Sequence, residues 1–183
     1  TKLKTWESVG GGPMAVLVLL RGAMGAGKTT VGNLLQGLLP DAHFVEVDEI
    51  KCELQGGAGK CNPAQDFTEA GRRARMKLDG GQHVVVIEPL CERKHVNYVL
   101  RAAGVMEGSP NLVAVWLDCT KETALQRKRP AFTAAVIEQQ HGRYRNRCVL
   151  PHELVISTDH LSAECVADTV YQLMLRRIRT GRS

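Results

Sequence analysis

Aromatic residues are scarce in this sequence, and several other features that would define a class of protein are missing. Phe, Tyr and Trp make up 4% of the 183 residues, so we expect no row of rings on which nucleic acid bases could stack. No apolar run reaches the length of a membrane-spanning helix. The N-terminus also lacks the basic start and long apolar core of a secretory signal. These absences predict a cytoplasmic protein with no membrane partner.

The six cysteines form no pattern typical of metal binding or disulfides. None lies in a C-x-x-C pair or at zinc-ligand spacing from a histidine. Apolar residues make up 44% of the chain, which is enough for a core without disulfides, so we expect reduced thiols. Cys119 and Cys165 fall in apolar patterns and are interpreted as small core residues. Cys52 and Cys61 flank a glycine-rich stretch, and whether they interact is left open.

The net charge of +5 is concentrated in short basic clusters, "RKR", "RYRNR" and "RRIRTGRS". Such a balance is typical of proteins that meet nucleic acid, a membrane surface or phosphate-bearing substrates. Because the clusters are short and mixed with acidic residues, we favour a phosphate-bearing small molecule, with nucleic acid as the alternative partner.

Apolar strand-like runs alternate with helical patterns along the chain. The predicted strands are 15–20, 43–47, 83–89, 111–118 and 153–158, and the clearest helical patterns are 28–39, 64–78 and 92–103. Further helices are predicted after Thr120 and Ser162, which are suitable N-caps. This alternation predicts an α/β fold, in which a parallel sheet is covered by helices on both faces. Ligands then belong at the carboxyl ends of the strands.

Residues 22–29, "GAMGAGKT", match the Walker A pattern G-x-x-x-x-G-K-[ST] between a buried strand and an amphipathic helix. The glycines let successive backbone N–H groups turn towards phosphate oxygens, and the helix N-terminus adds partial positive charge. Lys28 would contact the β- and γ-phosphates of ATP, and Thr29 would reach Mg²⁺. The predicted nucleotide-binding residues here are Gly22, Ala23, Met24, Gly25, Ala26, Gly27, Lys28, Thr29 and Thr30.

Two carboxylates are predicted at the carboxyl ends of the second and third strands. Asp48 follows the second strand, where a carboxylate can hold an attacking hydroxyl or accept its proton; the alternative is a helix cap. Glu88 ends the third strand, at the usual Walker B position, and is assigned to substrate and Mg²⁺ binding; the alternative is a simple strand-end charge.

The basic stretch after the fourth strand, about residues 127–148, is predicted to form a mobile lid; the alternative is a solvated basic face. It is polar and shows little apolar periodicity. Arginines in a lid can neutralise charge that develops during phosphoryl transfer. We choose Arg127 and Arg143 as nucleotide-binding residues, and Arg129 is the next candidate. The predicted catalytic residues are Lys28, Asp48 and Arg127.

Arg72 and Arg75 lie on the helix that follows Asp48 in the sequence. A helix at this place can wall the acceptor pocket, so both are predicted to bind an anionic acceptor. Because closely spaced arginines on one helix cannot all face the same pocket, at least one basic side chain of this helix should be solvated.

The segments "GAMGAGKTT", "VDEI", "VAVWLDCTKETALQRKR" and "ELVISTDHLSAECV" resemble P-loop small-molecule kinases, the group that contains shikimate kinase, gluconate kinase, adenylylsulfate kinase and chloramphenicol phosphotransferase. The resemblance covers about residues 14–178. It implies a three-layer sandwich with a five-stranded parallel sheet in the order 2-3-1-4-5, and transfer of the ATP γ-phosphate to a hydroxyl. It also implies that the loop glycines, Lys28 and Thr29 bind ATP and that Asp48 orients the hydroxyl.

Two departures leave the acceptor open. "IEPLCERK" stands where shikimate kinases have a glycine-rich turn, and "VDEIKCE" stands where adenylylsulfate kinases have Gly-Asp-Asn-x-Arg. We therefore expect a single domain over 14–183, after a flexible extension at 1–13, that phosphorylates a small metabolite or antibiotic-like compound. The alternatives are a nucleoside or polynucleotide 5′-kinase and a nucleotide-binding ATPase switch.

Overall fold

A computed structural model describes residues 14–55, 62–127 and 133–180. Its strands are β1 (Leu17–Gly22), β2 (His43–Glu46), β3 (Val84–Ile87), β4 (Leu112–Asp118) and β5 (Leu154–Ser157). Its helices are α1 (Lys28–Leu38), α2 (Val47–Gln55), α3 (Pro63–Asp79), α4 (Arg93–Ala103), α5 (Lys121–Gln126), α6 (Ala134–Tyr144) and α7 (Ala163–Thr180). None of the helices within these ranges combines the length and apolar character that a membrane crossing requires.

The five strands form one parallel sheet in the order β2-β3-β1-β4-β5, which confirms the predicted fold class. β1 lies at the centre, where Leu17 pairs with Val84 of β3 and with Leu112 of β4. The strand order reverses direction at β1, so the crevice that parallel sheets offer to ligands lies beyond its carboxyl end. The glycine-rich loop follows β1 directly at this point.

Alternate residues of the central strand face two separate cores. Val18 and Leu20 pack in the core that α1 and α7 cover. Leu17 and Leu19 point to the opposite face and pack in the core that α3 and α4 cover. Because side chains alternate along a strand, burial on both faces requires the continuous apolar run seen in the sequence. The sandwich therefore holds β1, and the loop that follows it, from both sides.

Helix α6 is the largest difference from the predicted elements, since the sequence indicated an irregular polar stretch at this position. The side chain of Thr133 caps the helix by accepting a hydrogen bond from Val136 N. Only Ile137 and Tyr144 of this helix are buried, so its apolar periodicity is weak and helical spacing was hard to recognise. Residues 128–132 of the predicted lid lie outside the described residues.

Smaller differences concern individual side chains. Asp48 lies in the first turn of α2 and not at a strand end, because β2 stops at Glu46. Cys119 is buried as expected, but Cys165 is exposed, since the apolar stripe of α7 turns inward at the next residue, Val166. The predictions for the extension at 1–13 and for an approach of Cys52 to Cys61 lie outside the described residues.

Candidate functional site

The loop between β1 and α1 takes a backbone shape that depends on glycine. Gly25 has φ +83°, and a Cβ there would lie 2.7 Å from Cα of Ala124 in α5. Gly27 has φ +88° and caps α1, and a Cβ there would meet no atom within 4 Å. Left-handed conformations favour glycine, and the open side of Gly27 lets a ligand approach the backbone closely. The loop therefore has the form expected of a phosphate cradle.

Lys28, the first residue of α1, lies against this loop. Its Nζ donates hydrogen bonds to the carbonyl oxygens of Gly22 and Ala23, each at 3.0 Å. Burial lowers the pKa of Lys28, and the nearby carboxylate of Glu88 acts in the opposite direction. The ammonium is thus held at the inner side of the loop, close to the place where the backbone would face phosphate oxygens.

A cavity of about 340 Å³ opens beside the loop and brings most of the predicted site residues together. Its predicted members are Met24, Gly25, Gly27, Lys28, Thr29, Thr30, Asp48, Glu88 and Arg127. A second cavity of about 260 Å³ is lined by Gly27, Thr30 and Arg127 together with Thr158. The two cavities share Gly27, Thr30 and Arg127 and therefore adjoin each other; together they are called the cleft below.

Asp48 and Glu88 are joined by Lys51, which no sequence motif indicated. Lys51 Nζ lies 2.7 Å from Asp48 Oδ1 and 2.9 Å from Glu88 Oε1. The Asp48 side chain is 81% exposed, whereas that of Glu88 is 9% exposed. The spacing of Asp48 and Lys51 along a helix was the available signal, since residues three apart share a face. The contact between Lys51 and Glu88 could not be predicted from the sequence.

Burial and neighbouring charges change the pKa values of Glu88 and Lys51. Burial raises the pKa of Glu88, and the charge of Lys51 partly offsets this rise. Burial disfavours the charged form of Lys51, but the charge of Glu88 and the hydrogen bond to Asp48 outweigh it and raise the pKa of Lys51. Lys51 is therefore a fixed cation, and the protonation state of Glu88 depends on it.

Arg127 lies at the junction of the two cavities. It follows α5 as its C-cap residue. Its guanidinium donates to Thr158 Oγ1 at 3.1 Å and to Thr158 O at 2.6 Å. These bonds link α5 to the segment after β5, and Arg127 lines both cavities.

The other predicted arginines are not brought to the cleft. Arg72 is paired with Glu69, and Arg75 is paired with Asp79, so both are engaged along the surface of α3. Arg143 is exposed on α6 and does not line either cavity. Arg129 lies outside the described residues. The direction of each side chain depends on how its helix packs, and the sequence pattern did not contain that information.

Helix α6 supplies residues of the cleft that were missed. Ile137 and Tyr144 line the larger cavity, and burial raises the pKa of the Tyr144 hydroxyl. His141 Nε2 lies 3.0 Å from Met24 O, which ties the helix to the glycine-rich loop. The His141 and Tyr144 rings meet edge to face with centroids 5.6 Å apart. The predicted lid region therefore contributes an apolar wall through a packed helix.

A cluster of buried charged side chains lies next to the glycine-rich loop. Arg21, immediately before the loop, forms an ion pair with Glu153, and both side chains are completely buried. Arg21 also donates to the carbonyl oxygens of Leu90, at 2.6 Å, and Cys148, at 3.0 Å. Arg147 binds the second oxygen of Glu153 and lies over the Trp116 ring. The cluster joins β1 to the segments that follow β3 and α6.

No family model matches the sequence, and no curated protein matches it. Solved structures do share its fold. The APS kinase of Mycobacterium tuberculosis, in complex with AMPPNP and APS, is 19% identical with a TM-score of 0.70, over 90% of this chain and 99% of that one. A gluconokinase from Sinorhizobium meliloti is 12% identical, with a TM-score of 0.63, over 91% of this chain and 95% of that one.

The tunicamycin resistance protein of Deinococcus radiodurans is also similar, with 16% identity and a TM-score of 0.64 over 87% of this chain and 95% of that one. At these identities the likeness establishes the fold. The chain thus has the fold of the P-loop small-molecule kinases, as the sequence resemblance indicated.

Proposed function

We propose that the chain is a phosphotransferase that moves the γ-phosphate of ATP to a hydroxyl of a small molecule. The observation that carries the proposal is the convergence of Lys28, Asp48, Glu88 and Arg127 on one cavity beside the glycine-rich loop. These groups match the parts that phosphoryl transfer needs, namely a phosphate cradle, cations and a carboxylate for the acceptor.

The donor side consists of the loop, Lys28 and Thr29. Backbone N–H groups of the loop would bind the β-phosphate oxygens, and Lys28 would exchange its bonds to Gly22 O and Ala23 O for bonds to the β- and γ-phosphates. Thr29 and Glu88 both line the cavity, and their oxygens suit the preference of Mg²⁺ for oxygen ligands. Mg²⁺, when bound, would neutralise negative charge on the phosphate oxygens.

The acceptor side is formed around Asp48. Its exposed carboxylate would accept a hydrogen bond from the acceptor hydroxyl and take the proton as the oxygen attacks. Attack forms a bond from the acceptor oxygen to the γ-phosphorus and breaks the bond to the bridging oxygen of ADP, which leaves with the electron pair. Lys51 would hold Asp48 in place through its 2.7 Å contact.

Arg127 would stabilise the charge that shifts to the leaving oxygens. Its bonds to Thr158 fix the guanidinium beside Gly27 and Thr30, with which it lines both cavities. A preorganised cation at this place stabilises developing negative charge without reorganisation during the reaction.

The test is transfer of labelled γ-phosphate from ATP, with Mg²⁺, to a panel of hydroxylated compounds, nucleosides and 5′-hydroxyl oligonucleotides. We expect a phosphorylated product from a small hydroxylated compound and no transfer by Lys28→Ala. Labelling of oligonucleotides alone would favour a polynucleotide 5′-kinase. Release of ADP with no phosphorylated product from any compound would contradict the proposal and favour an ATPase switch.

A further inference from the structure

We infer that Asp159 is a positioning residue of the transfer reaction, because it anchors the first turn of α5 and thereby sets the place of Arg127 in the cleft. The inference rests on the proposed function and adds a residue to the same site. Asp159 follows the end of β5 at Ser157 and lines neither cavity. Its effect on the reaction must therefore pass through other residues.

The carboxylate of Asp159 binds the N-terminal end of α5. Its Oδ1 accepts hydrogen bonds from Thr120 N at 2.9 Å and from Thr120 Oγ1 at 3.0 Å. Thr120 is the N-cap of the helix, and its side chain accepts a hydrogen bond from Thr123 N. Asp159 Oδ2 accepts a hydrogen bond from Ser157 Oγ at 3.3 Å. Asp159 therefore joins the cap of α5 to the end of β5.

The bonds that reach Asp159 also keep it ionised. Hydrogen bonds from the Thr123 side chain and from Thr120 N lower the pKa of Asp159 to about 2, since they favour the charged form. Hydrogen bonds to an ionised acceptor are stronger than those between neutral groups. At neutral pH the anchor is therefore a charged group with several donors.

Helix α5 connects this anchor to Arg127. The helix has six residues, and a helix of this length depends on tertiary contacts for its stability. Arg127 N donates a hydrogen bond to Thr123 O at 3.0 Å. The backbone of Arg127 is thus bonded to a residue of the turn that Asp159 holds. Fraying of this turn would release the bond and let Arg127 move.

The opposite end of α5 is held by Thr158, the residue next to Asp159. Thr158 accepts both hydrogen bonds of the Arg127 guanidinium. Thr158 N and Oγ1 donate in turn to Asp118 O, at 2.8 and 3.0 Å, so Thr158 is fixed to the end of β4. Thr158 orients the guanidinium, and Asp159 holds the helix from which the side chain extends. Two consecutive residues therefore hold the two ends of α5.

The first experiment compares Asp159→Ala with Asp159→Asn. Asp159→Ala should lower kcat/KM by about tenfold or more, because a displaced group loses its alignment with the reacting atoms. It should also weaken binding of a non-hydrolysable ATP analogue with Mg²⁺ by about threefold or more. Asp159→Asn keeps an oxygen that accepts from Thr120 and should restore most of both losses.

Asp168→Ala is the matched control. Asp168 is an exposed carboxylate on α7, and its Oδ1 accepts a hydrogen bond from Gln172 of the same helix at 3.5 Å. Its removal should leave both kcat/KM and the affinity for the ATP analogue unchanged. Thermal melts identify a temperature at which every variant is folded, and all measurements are made there.

A double-mutant cycle with Arg127→Ala distinguishes positioning from a general loss of stability. If Asp159 acts through Arg127, Asp159→Ala should cost about twofold or less in a chain that already carries Arg127→Ala. A general structural role would produce the same loss in both backgrounds. The cycle is measured on kcat/KM and, independently of turnover, on the affinity for the ATP analogue.

The outcomes separate the two proposals. Full activity and affinity in Asp159→Ala, or an undiminished loss in the Arg127→Ala background, overturns the role of Asp159 and leaves the kinase proposal intact. Phosphorylation of no acceptor contradicts the kinase proposal, whereas the nucleotide titrations still decide whether Asp159 positions Arg127. If Asp159→Ala does not fold, Thr120→Val removes the hydroxyl on the other side of the same contact and takes its place in the cycle.

Discussion

Lys51 Nζ lies 2.9 Å from Glu88 Oε1 and connects this buried carboxylate to the exposed Asp48. The lysine also lies over the Phe67 ring, at 5.9 Å from its centroid. One side chain thus sets the position of two groups that we place in the reaction. Removing its charge should alter chemistry more than folding.

Lys51→Met is expected to move the acid limb of the pH profile upwards. The charge of Lys51 lowers the pKa of Glu88, which burial raises. Without that charge the pKa of Glu88 rises further, so the carboxylate forms only at higher pH. The acid limb of kcat/KM should therefore shift to higher pH. Lys121→Met, which removes an exposed lysine on α5, should leave the profile in place. An unchanged acid limb in Lys51→Met would show that Lys51 does not govern Glu88.

Asp48→Asn should lower kcat by about 10²–10⁴-fold while ATP affinity stays nearly unchanged, because the amide cannot accept the acceptor proton. The hydrogen bond from Lys51 can persist to the amide oxygen, so the geometry of the cleft should be kept. Steady-state kinetics with calorimetric titration of an ATP analogue separates the two effects. Glu49→Gln serves as the neighbouring control. Near-wild-type turnover in Asp48→Asn would remove Asp48 from its assigned role.

Gly25→Ala should destabilise the protein by at least about 1–2 kcal/mol, because a left-handed conformation disfavours a Cβ. The new Cβ would also lie 2.7 Å from backbone and side-chain atoms of Ala124, so the loop must shift and nucleotide affinity should fall. Gly37→Ala is the opposite case, because Gly37 lies in a helix and faces open space. This substitution should increase the free energy of unfolding by about 0.5–1 kcal/mol. Thermal melts and nucleotide titrations measure both. Equal effects of the two substitutions would contradict the assignment of the loop shape to Gly25.

Glu153→Gln should lower the free energy of unfolding by about 3–5 kcal/mol, because it leaves the buried charge of Arg21 unpaired. Glu107→Gln breaks an ion pair of the same chemistry with Arg93, in which both side chains are partly exposed. That change should cost about 1 kcal/mol or less. Urea unfolding at neutral pH gives both values. If the two variants lose similar stability, the buried cluster contributes no more than a surface pair.

Much of the fold was predictable because its signals are local. Continuous apolar runs predict strands buried on both faces, and the caps at Thr120 and Ser162 are confirmed by bonds from Thr123 N and Cys165 N. Helix α6 was missed since only Ile137 and Tyr144 of it are buried. The strand order followed from a resemblance, and the pairing of the strands confirms it.

The sequence by itself determined the glycine-rich loop, because its glycines, Lys28 and Thr29 are adjacent and belong to one strand–turn–helix unit. Tertiary structure decided which charged side chains meet. It joined Lys51 to Glu88, 37 residues apart, and Arg21 to Glu153, 132 residues apart, and it turned Arg72 and Arg75 towards partners on α3. Contacts of this kind depend on how strands and helices pack, and no local pattern encodes which distant charges will meet.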